Sequence, residues 1–218
     1  TRKPYAKTKA FEFGTMFELY LWHKDKFNAS YICAGERPEK NKAFATKANK
    51  DWKKTQIEAG FKIYSTEDFE DIKRMEDSIY SDKIVREHLE QLTAFDAKFE
   101  IEDLFGFKFH GIKDAEGETI CIDLKTCAKA KPHKFHYDFR YKFAYGKQAA
   151  IYSQHKGQKM FYLAADRLGG VSLHEVSQET INENLRKLEE HCTRLKECIF
   201  KNDFPNYGFW VDGGVFEI

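Results

Sequence analysis

Between residues 95 and 126 the hydrophobic repeat of the chain changes to two, and charged residues fall inside the apolar pattern. Phe105, Phe107 and Phe109 alternate with Gly106, Lys108 and His110, as in a strand with one buried face. Residues 114–118, DAEGE, supply a turn around Gly117, and residues 119–126 read as a second strand. The two strands form a hairpin, with Asp114 at the end of the first. On the second, Asp123 and Lys125 lie two apart and project from one face of the sheet, while Leu124 points into the core. The same spacing occurs on solvated edge strands, but Cys121, Ile122, Leu124 and the preceding FGFKF are apolar enough to make this hairpin central. Two carboxylates and an ammonium then share a small volume. Aspartates that approach each other repel unless a cation lies between them, and hard oxygen ligands suit Mg²⁺ or Mn²⁺. An ion held this way can bind a phosphate and lower the pKa of a water, with Lys125 orienting that water or neutralising developing charge.

The remainder of the chain supplies layers for a sheet. Residues 11–22 place Phe13, Phe17 and Leu21 on one helical stripe, with Glu18 beside it. Residues 25–64 are polar and rich in lysine, with Gly35 and Pro38 as breakers and a helix near 44–59. Residues 66–92 read as doubly helical. Thr66 serves as cap, and Phe69, Ile72, Met75 and Ile79, then Val85, Leu89 and Leu92, recur at helical spacing. After the hairpin come a long aromatic-rich helix within 135–155, strands near 159–166 and 170–176, and a helix from the cap Ser177 to Phe200. This order predicts a mixed α/β or α+β sandwich around one sheet. No composition break divides the chain, so a single domain is expected over 1–218, with its core at about 94–200 and a helical part, 1–93, that contributes Glu18. The last fifteen residues, FPNYGFWVDGGVFEI, are too rich in glycine and aromatics to assign.

Lys and Arg number 36 and Asp and Glu 35, a balance that hides strong segregation. Residues 125–147 hold seven basic side chains against one acid, residues 37–54 seven against two, and residues 67–103 thirteen acids against five bases. Two basic segments separated by an acidic one suit one face for phosphates and another for solubility. No run of about 18 apolar residues exists, which argues against a membrane helix. No secretory leader is visible, and five cysteines without CxxC spacing suit a reducing cytoplasm. The opening at Thr1 rather than Met suggests a fragment. The eight histidines show no zinc spacing, and His133 and His136, in the basic stretch, are placed to touch phosphate or nothing.

The motifs together resemble a known family. IKD at 112–114 and IDLKT at 122–126 resemble the metal-binding hairpin of PD-(D/E)XK nucleases. FGTMFELYL resembles the FGTxxHxxLL element, and YGKQAAIY the YxxQAAxY helix, of the RecE-type exonucleases, the exonuclease eight group of phage and prophage recombination enzymes. The resemblance spans nearly the whole chain. It implies a restriction-endonuclease-like α/β core, a central mixed sheet flanked by helices. It also implies Asp114 and Asp123 as ligands of Mg²⁺ or Mn²⁺, the Leu124 carbonyl as a further ligand, Lys125 as catalytic lysine and Gln148 as the helix glutamine beside it. Glu18 stands where that family has a ligating histidine, and a glutamate remains a hard oxygen ligand. Glu100 is a candidate further acid near the metal. Tyr145, Gln148 and Tyr152 fall on one helix face.

The activity implied is 5′→3′ exonucleolysis of linear double-stranded DNA in phage-type recombination. The partners implied are further copies of the chain in a ring, a tetramer, and a single-strand annealing protein. Lys129, Lys131, Arg140, Lys142, Tyr145 and Lys147 are the candidate DNA contacts, and nearby aromatics can stack on bases. An endonuclease or 3′→5′ enzyme would use the same residues, and a catalytically silent DNA-binding scaffold is the other alternative. An iron–sulfur variant of the fold is incomplete here: Cys192 and Cys198 have the x5 gap, but Glu189 stands where another cysteine is needed.

Overall fold

The period-two stretch folds as three strands rather than two. The structure is a computed structural model and describes residues 8–143 and 145–204, the side chain of Lys142 excepted. The unassigned tail therefore lies almost wholly outside the described residues. In chain order the elements are α1 (Lys9–Trp22), α2 (Lys24–Ser30), β1 (Tyr31–Cys33), α3 (Lys47–Glu58), β2 (Lys62–Tyr64), α4 (Thr66–Ser81) and α5 (Lys83–Leu89). There follow β3 (Leu92–Leu104), β4 (Phe107–Gly117), β5 (Ile120–Cys127), α6 (Pro132–Tyr137), α7 (Tyr145–Lys156), β6 (Lys159–Asp166), β7 (Val171–Glu175) and α8 (Gln178–Lys201).

The main sheet has the order β3-β4-β5-β6-β7. Only β5 and β6 run parallel; the other neighbours are antiparallel. A parallel neighbour needs a crossover, and α6 and α7 provide it. Because helices then cover both faces, the central strands lose simple alternation: the first five residues of β5 and seven of the eight in β6 are buried. On one face α1, α2, α4 and α5 pack Phe17, Ile72, Met75 and Ile79 onto Ile122, Leu124 and Leu163. On the other, α6, α7 and α8 cover Cys121, Met160, Tyr162 and Ala164 with Phe135, Ala149 and Ile181. The fold class expected from the motifs, a mixed sheet between helical layers, is the one observed. None of the described helices is long and apolar enough to cross a membrane.

Several local expectations need correction. Leu92 opens β3 instead of closing a helix, and Phe105 sits with Gly106 in the β3–β4 turn at φ 54°, outside either strand. Asp114 lies within β4 rather than at its end, because that strand continues to Gly117. The helix expected within 135–155 begins late in that span. Pro132 starts α6 at its first turn, a π-helical turn spans Asp138–Lys142 with Phe143 N–H donating to the Asp138 carbonyl, and α7 begins only at Tyr145. The cap of α4 is Ser65, whose hydroxyl and Asp68 form a capping box, not Thr66. Ser177 caps α8 as expected, accepting from Thr180 N–H at 3.2 Å.

One glycine sets the spacing between α1 and the central strand. A Cβ at Gly14 would lie 3.0 Å from Thr126 Oγ1, tighter than an ordinary contact, so the glycine eases the close approach of the helix to β5. The close approach brings Glu18, one turn further on, toward the hairpin. Gly14→Val should therefore cost about 1–3 kcal/mol through overpacking, read as a lower urea midpoint with an unchanged m value.

Candidate active site

The site forms where two strands part. β4 and β5 are paired only at Ala115↔Ile122 and Glu116↔Cys121, and beyond these the ladder stops. The next backbone donor on β5 that meets β4 is Leu124 N–H, and it is taken by a side chain: Asp114 Oδ2 accepts it at 2.8 Å. That bond holds Asp114 beside Asp123, which is 1 % exposed. Asp123 Oδ1 accepts from Gln148 Nε2 at 2.6 Å. Its Oδ2 is paired with the Lys125 ammonium. Asp123, Lys125, Asp114 and Gln148 are thus brought together, with Leu124 contributing backbone.

Gln148 is held by a chain of tyrosines. Its Nε2 also donates to Tyr152 Oη at 3.1 Å, and that hydroxyl donates to the Ile112 carbonyl at 2.7 Å. Tyr162 Oη donates to the Tyr145 carbonyl at 2.8 Å and lies 3.4 Å from Gln148 Oε1. The amide therefore has its nitrogen toward the carboxylate, where it donates to both Asp123 and Tyr152. The Lys125 ammonium lies 5.0 Å from the Tyr145 ring centroid and 5.8 Å from that of Tyr162. Two aromatic faces thus support the charge opposite Asp123.

The electrostatics show a deficit of positive charge. Burial pushes the Asp114 carboxyl well above the usual carboxylate range, and the negative charges of Asp123 and Glu18 push it further, against the Leu124 hydrogen bond and Lys125. Burial likewise raises Asp123, offset in part by Lys125 and Gln148. Glu18, on α1, is raised by burial first, then by Asp96 and Asp123. Among the described residues no three His, Cys, Asp or Glu side chains converge into a complete metal-binding set. The residues nonetheless fit a small hard cation. Mg²⁺ is held by one or two carboxylates and keeps several waters, and two adjacent buried aspartates whose charged forms are disfavoured without a cation offer that. Glu18 and the Leu124 carbonyl are the groups next to hand.

Other expected residues fall elsewhere. Glu100 sits on β3 opposite His110 and pairs with Lys108 on the exposed part of the β3–β4 ribbon, so it is no acid of this site. Lys129, Lys131 and Arg140 are exposed and Lys147 and Tyr145 half-buried, on or around α6, the π turn and the start of α7. They therefore follow directly on the strand that carries Asp123. The side chain of Lys142 lies outside the described residues. The cysteines are free among the described residues, with Cys192 buried.

Three residues escaped the sequence reading. Tyr162 stands in register with Asp123 on β6, a position visible only once the parallel pairing is known. Asp96 lies level with Asp114 on β3, between the pairs Phe95↔Ala115 and Ala97↔Lys113. It has φ 51° and contacts His23 Nε2 and Lys26 Nζ, each at 2.9 Å. Lys113, beside Asp114, is fully buried, with Nζ 2.6 Å from Gln158 Oε1 and 3.2 Å from Glu116 Oε2, and ties the end of α7 to the β4–β5 turn. No local pattern marks a lysine for burial.

A carboxyl raised in the folded state keeps a proton that the unfolded chain releases, so stability falls as pH rises from the unfolded value through the folded one. At alkaline pH without divalent ions, Asp114→Asn should be more stable than the native chain by roughly 1–3 kcal/mol, the order of an uncompensated buried polar group, and the gain should vanish near pH 4. Mg²⁺ or Mn²⁺ should raise the melting temperature of the native chain, more strongly at higher pH, and leave the variant unmoved. Equal metal-induced shifts in both proteins would remove Asp114 from the ligand set.

Comparison with known proteins bears on this geometry. A family model described as a PDDEXK-like domain of unknown function (DUF3799) matches residues 1–209. Among solved structures, the crystal structure of a "putative exonuclease" from Eubacterium rectale superposes with a TM-score of 0.58 over 98% of this chain and 83% of that one, at 17% identity. A search of curated proteins found no match.

Proposed function

The chain belongs to the family of PDDEXK-like domains that matches residues 1–209, and on that premise we propose that it is a metal-dependent deoxyribonuclease, an exonuclease of linear double-stranded DNA. The observation that carries the reading is the hairpin cluster: Asp114 bonded to Leu124 N–H, and Asp123 held between Gln148 and Lys125. A silent scaffold would have no need of two buried carboxylates beside a lysine, which cost stability unless a cation joins them.

Each residue has a definable task. Asp114 and Asp123, with Glu18 and the Leu124 carbonyl, would hold Mg²⁺ or Mn²⁺, which when bound supplies Lewis acidity at a phosphoryl oxygen and an acidified water. Gln148 is a positioning residue: by occupying Asp123 Oδ1 it leaves Oδ2 for the ion and for Lys125. Lys125, supported on the faces of Tyr145 and Tyr162, stands ready to orient the attacking water and to offset charge gathering on the phosphorane-like oxygens. Lys129, Lys131, Arg140, Lys142 and Lys147 would neutralise phosphates along the strand leading to the site, and the lysines of 40–54 would do so further away.

The order of the motifs supports the narrower reading of a RecE-type 5′→3′ enzyme of phage-type recombination, one nuclease domain working as a ring, a tetramer, with a single-strand annealing protein as partner. A solved structure that resembles this chain is itself described as a "putative exonuclease". Glu18 in place of the family's histidine favours harder ions, so Mg²⁺ should serve at least as well as Mn²⁺.

Incubation with 5′-phosphorylated linear duplex and with covalently closed circular duplex, in Mg²⁺ or chelator, tests the reading. Metal-dependent release of nucleotides from the linear DNA alone is expected, and end-labelling should place the first cuts at the 5′ end. Lys125→Ala should slow turnover by about 10²–10⁴ and Asp123→Ala should abolish it, both with DNA binding retained. Cleavage of the circle would make the protein an endonuclease, and intact DNA in every lane would make it a scaffold.

A further inference from the structure

Beside the cluster, on the far side of Tyr162 from Asp123, is a cavity of about 610 Å³ lined by aromatic and imidazole rings. Sheet register fixes its distance from the chemistry. Asp123 on β5 is level with Tyr162 on β6, and Tyr162 with His174 on β7. Two strand spacings separate Asp123 from His174, about 10 Å. That span corresponds to about three stacked nucleotides along one DNA strand, at ~3.4 Å each. Tyr162 is the partition: Phe135 and Phe139 pack 6.0 and 5.7 Å from its ring centre, and the Lys125 ammonium lies 5.8 Å from it.

The lining has the chemistry of a planar heteroaromatic ligand. His174 stacks on Phe135 at 4.5 Å and meets the edge of His136 at 5.1 Å. Tyr137 and Tyr141, 57% and 70% exposed, stand at the mouth with ring centres 5.2 Å apart. Tyr137 ends α6, and Tyr141 is carried there by the π-helical turn that follows it. One polar atom gives the cavity direction. The single proton of Ser172 Oγ goes to the Ala130 carbonyl at 2.6 Å, so the 2.7 Å contact between Ser172 Oγ and His174 Nε2 is donated by the imidazole. Nδ1 of His174 is then an acceptor on a ring that lines the cavity. Burial and His136 hold this imidazole at about 4, so it stays in that neutral form at physiological pH. Arg140 at the rim adds the positive charge that a nucleotide's phosphate requires.

We propose that this cavity receives one nucleobase of the strand being cut, stacked on Tyr137 and Tyr141 and accepted at an N–H group by His174, so that the neighbouring phosphate is drawn into register with Asp123 and Lys125. The inference rests on the nuclease reading for its register and on the cavity itself for the base. Stacking on rings tolerates any base, and a base out of its helix is what such a cavity can admit.

The test pairs a change in the protein with a change in the DNA. Tyr137→Ala/Tyr141→Ala removes two largely exposed rings, and an unchanged melting temperature would certify its fold. Duplexes carrying one abasic nucleotide at each of the first six or so positions from the end are titrated by anisotropy in Ca²⁺, and cleaved in Mg²⁺. With the native protein, losing the base at one position within about three nucleotides of the scissile phosphate should weaken binding roughly tenfold, the order contributed by one base on aromatic rings. The double variant should bind the intact duplex roughly tenfold more weakly, and the same abasic site should cost it nothing further. Equal penalties in both proteins at every position, or unaltered binding by the variant, would overturn the base pocket and leave the nuclease untouched. Base-dependent binding without any cleavage would keep the pocket and overturn the nuclease, and absence of DNA binding would overturn both.

Discussion

A single hydrogen bond, from Leu124 N–H to the Asp114 carboxylate, organises the centre of this protein. Where the β4–β5 ladder ends, the two strands part, and their backbone groups need other partners. A side-chain carboxylate in place of a carbonyl satisfies the donor while bringing negative charge to the gap. That charge meets Asp123 on the next strand and Glu18 from α1. The splayed hairpin is thus both a defect in the sheet and the means by which acidic groups from three elements share one place.

Such an arrangement is unfavourable for the chain alone. All three carboxyls are raised by burial, Asp114 and Glu18 also by neighbouring carboxylates, with Lys125 as the ammonium that offsets them. Stability elsewhere must carry it, and the central strands do: β5 and β6 are buried on both faces, with helices above and below. The rigid layer beneath also limits how the acids can relax. Tyr152 and Tyr162 hold Gln148, Tyr162 being tied in turn to the Tyr145 carbonyl, and Gln148 holds Asp123, so the carboxylate keeps one orientation. Pre-set orientation of this kind is what an ion and a phosphate exploit.

How legible the site was depends on how far apart its members lie in sequence. Asp123, Leu124 and Lys125 form one strand, and alternation alone predicts which way each points. Gln148 and Tyr152 share a face one helical turn apart. Tyr162, Asp96 and Lys113 were not legible, because their roles follow from strand register and from burial by elements some 40 residues away. Glu100 shows the reverse error: an acid near the hairpin in sequence that the ribbon carries away from the site to pair with Lys108. Of the long helix expected within 135–155, only α7 is realised, because a π turn whose Phe143 N–H reaches five residues back precedes it, which periodicity cannot register.

The sequence by itself determined the element types, the central place of the hairpin and the pairing of Asp123 with Lys125, since each depends on periods of two or 3.6 residues and on the burial of apolar faces. Tertiary structure alone decided that β4 and β5 separate after two residue pairs, that Glu18 reaches the acids past a glycine packed on Thr126, and that Tyr162 divides the site from an aromatic cavity. Register and crossover bring together groups with no common period, so no local pattern could encode those contacts.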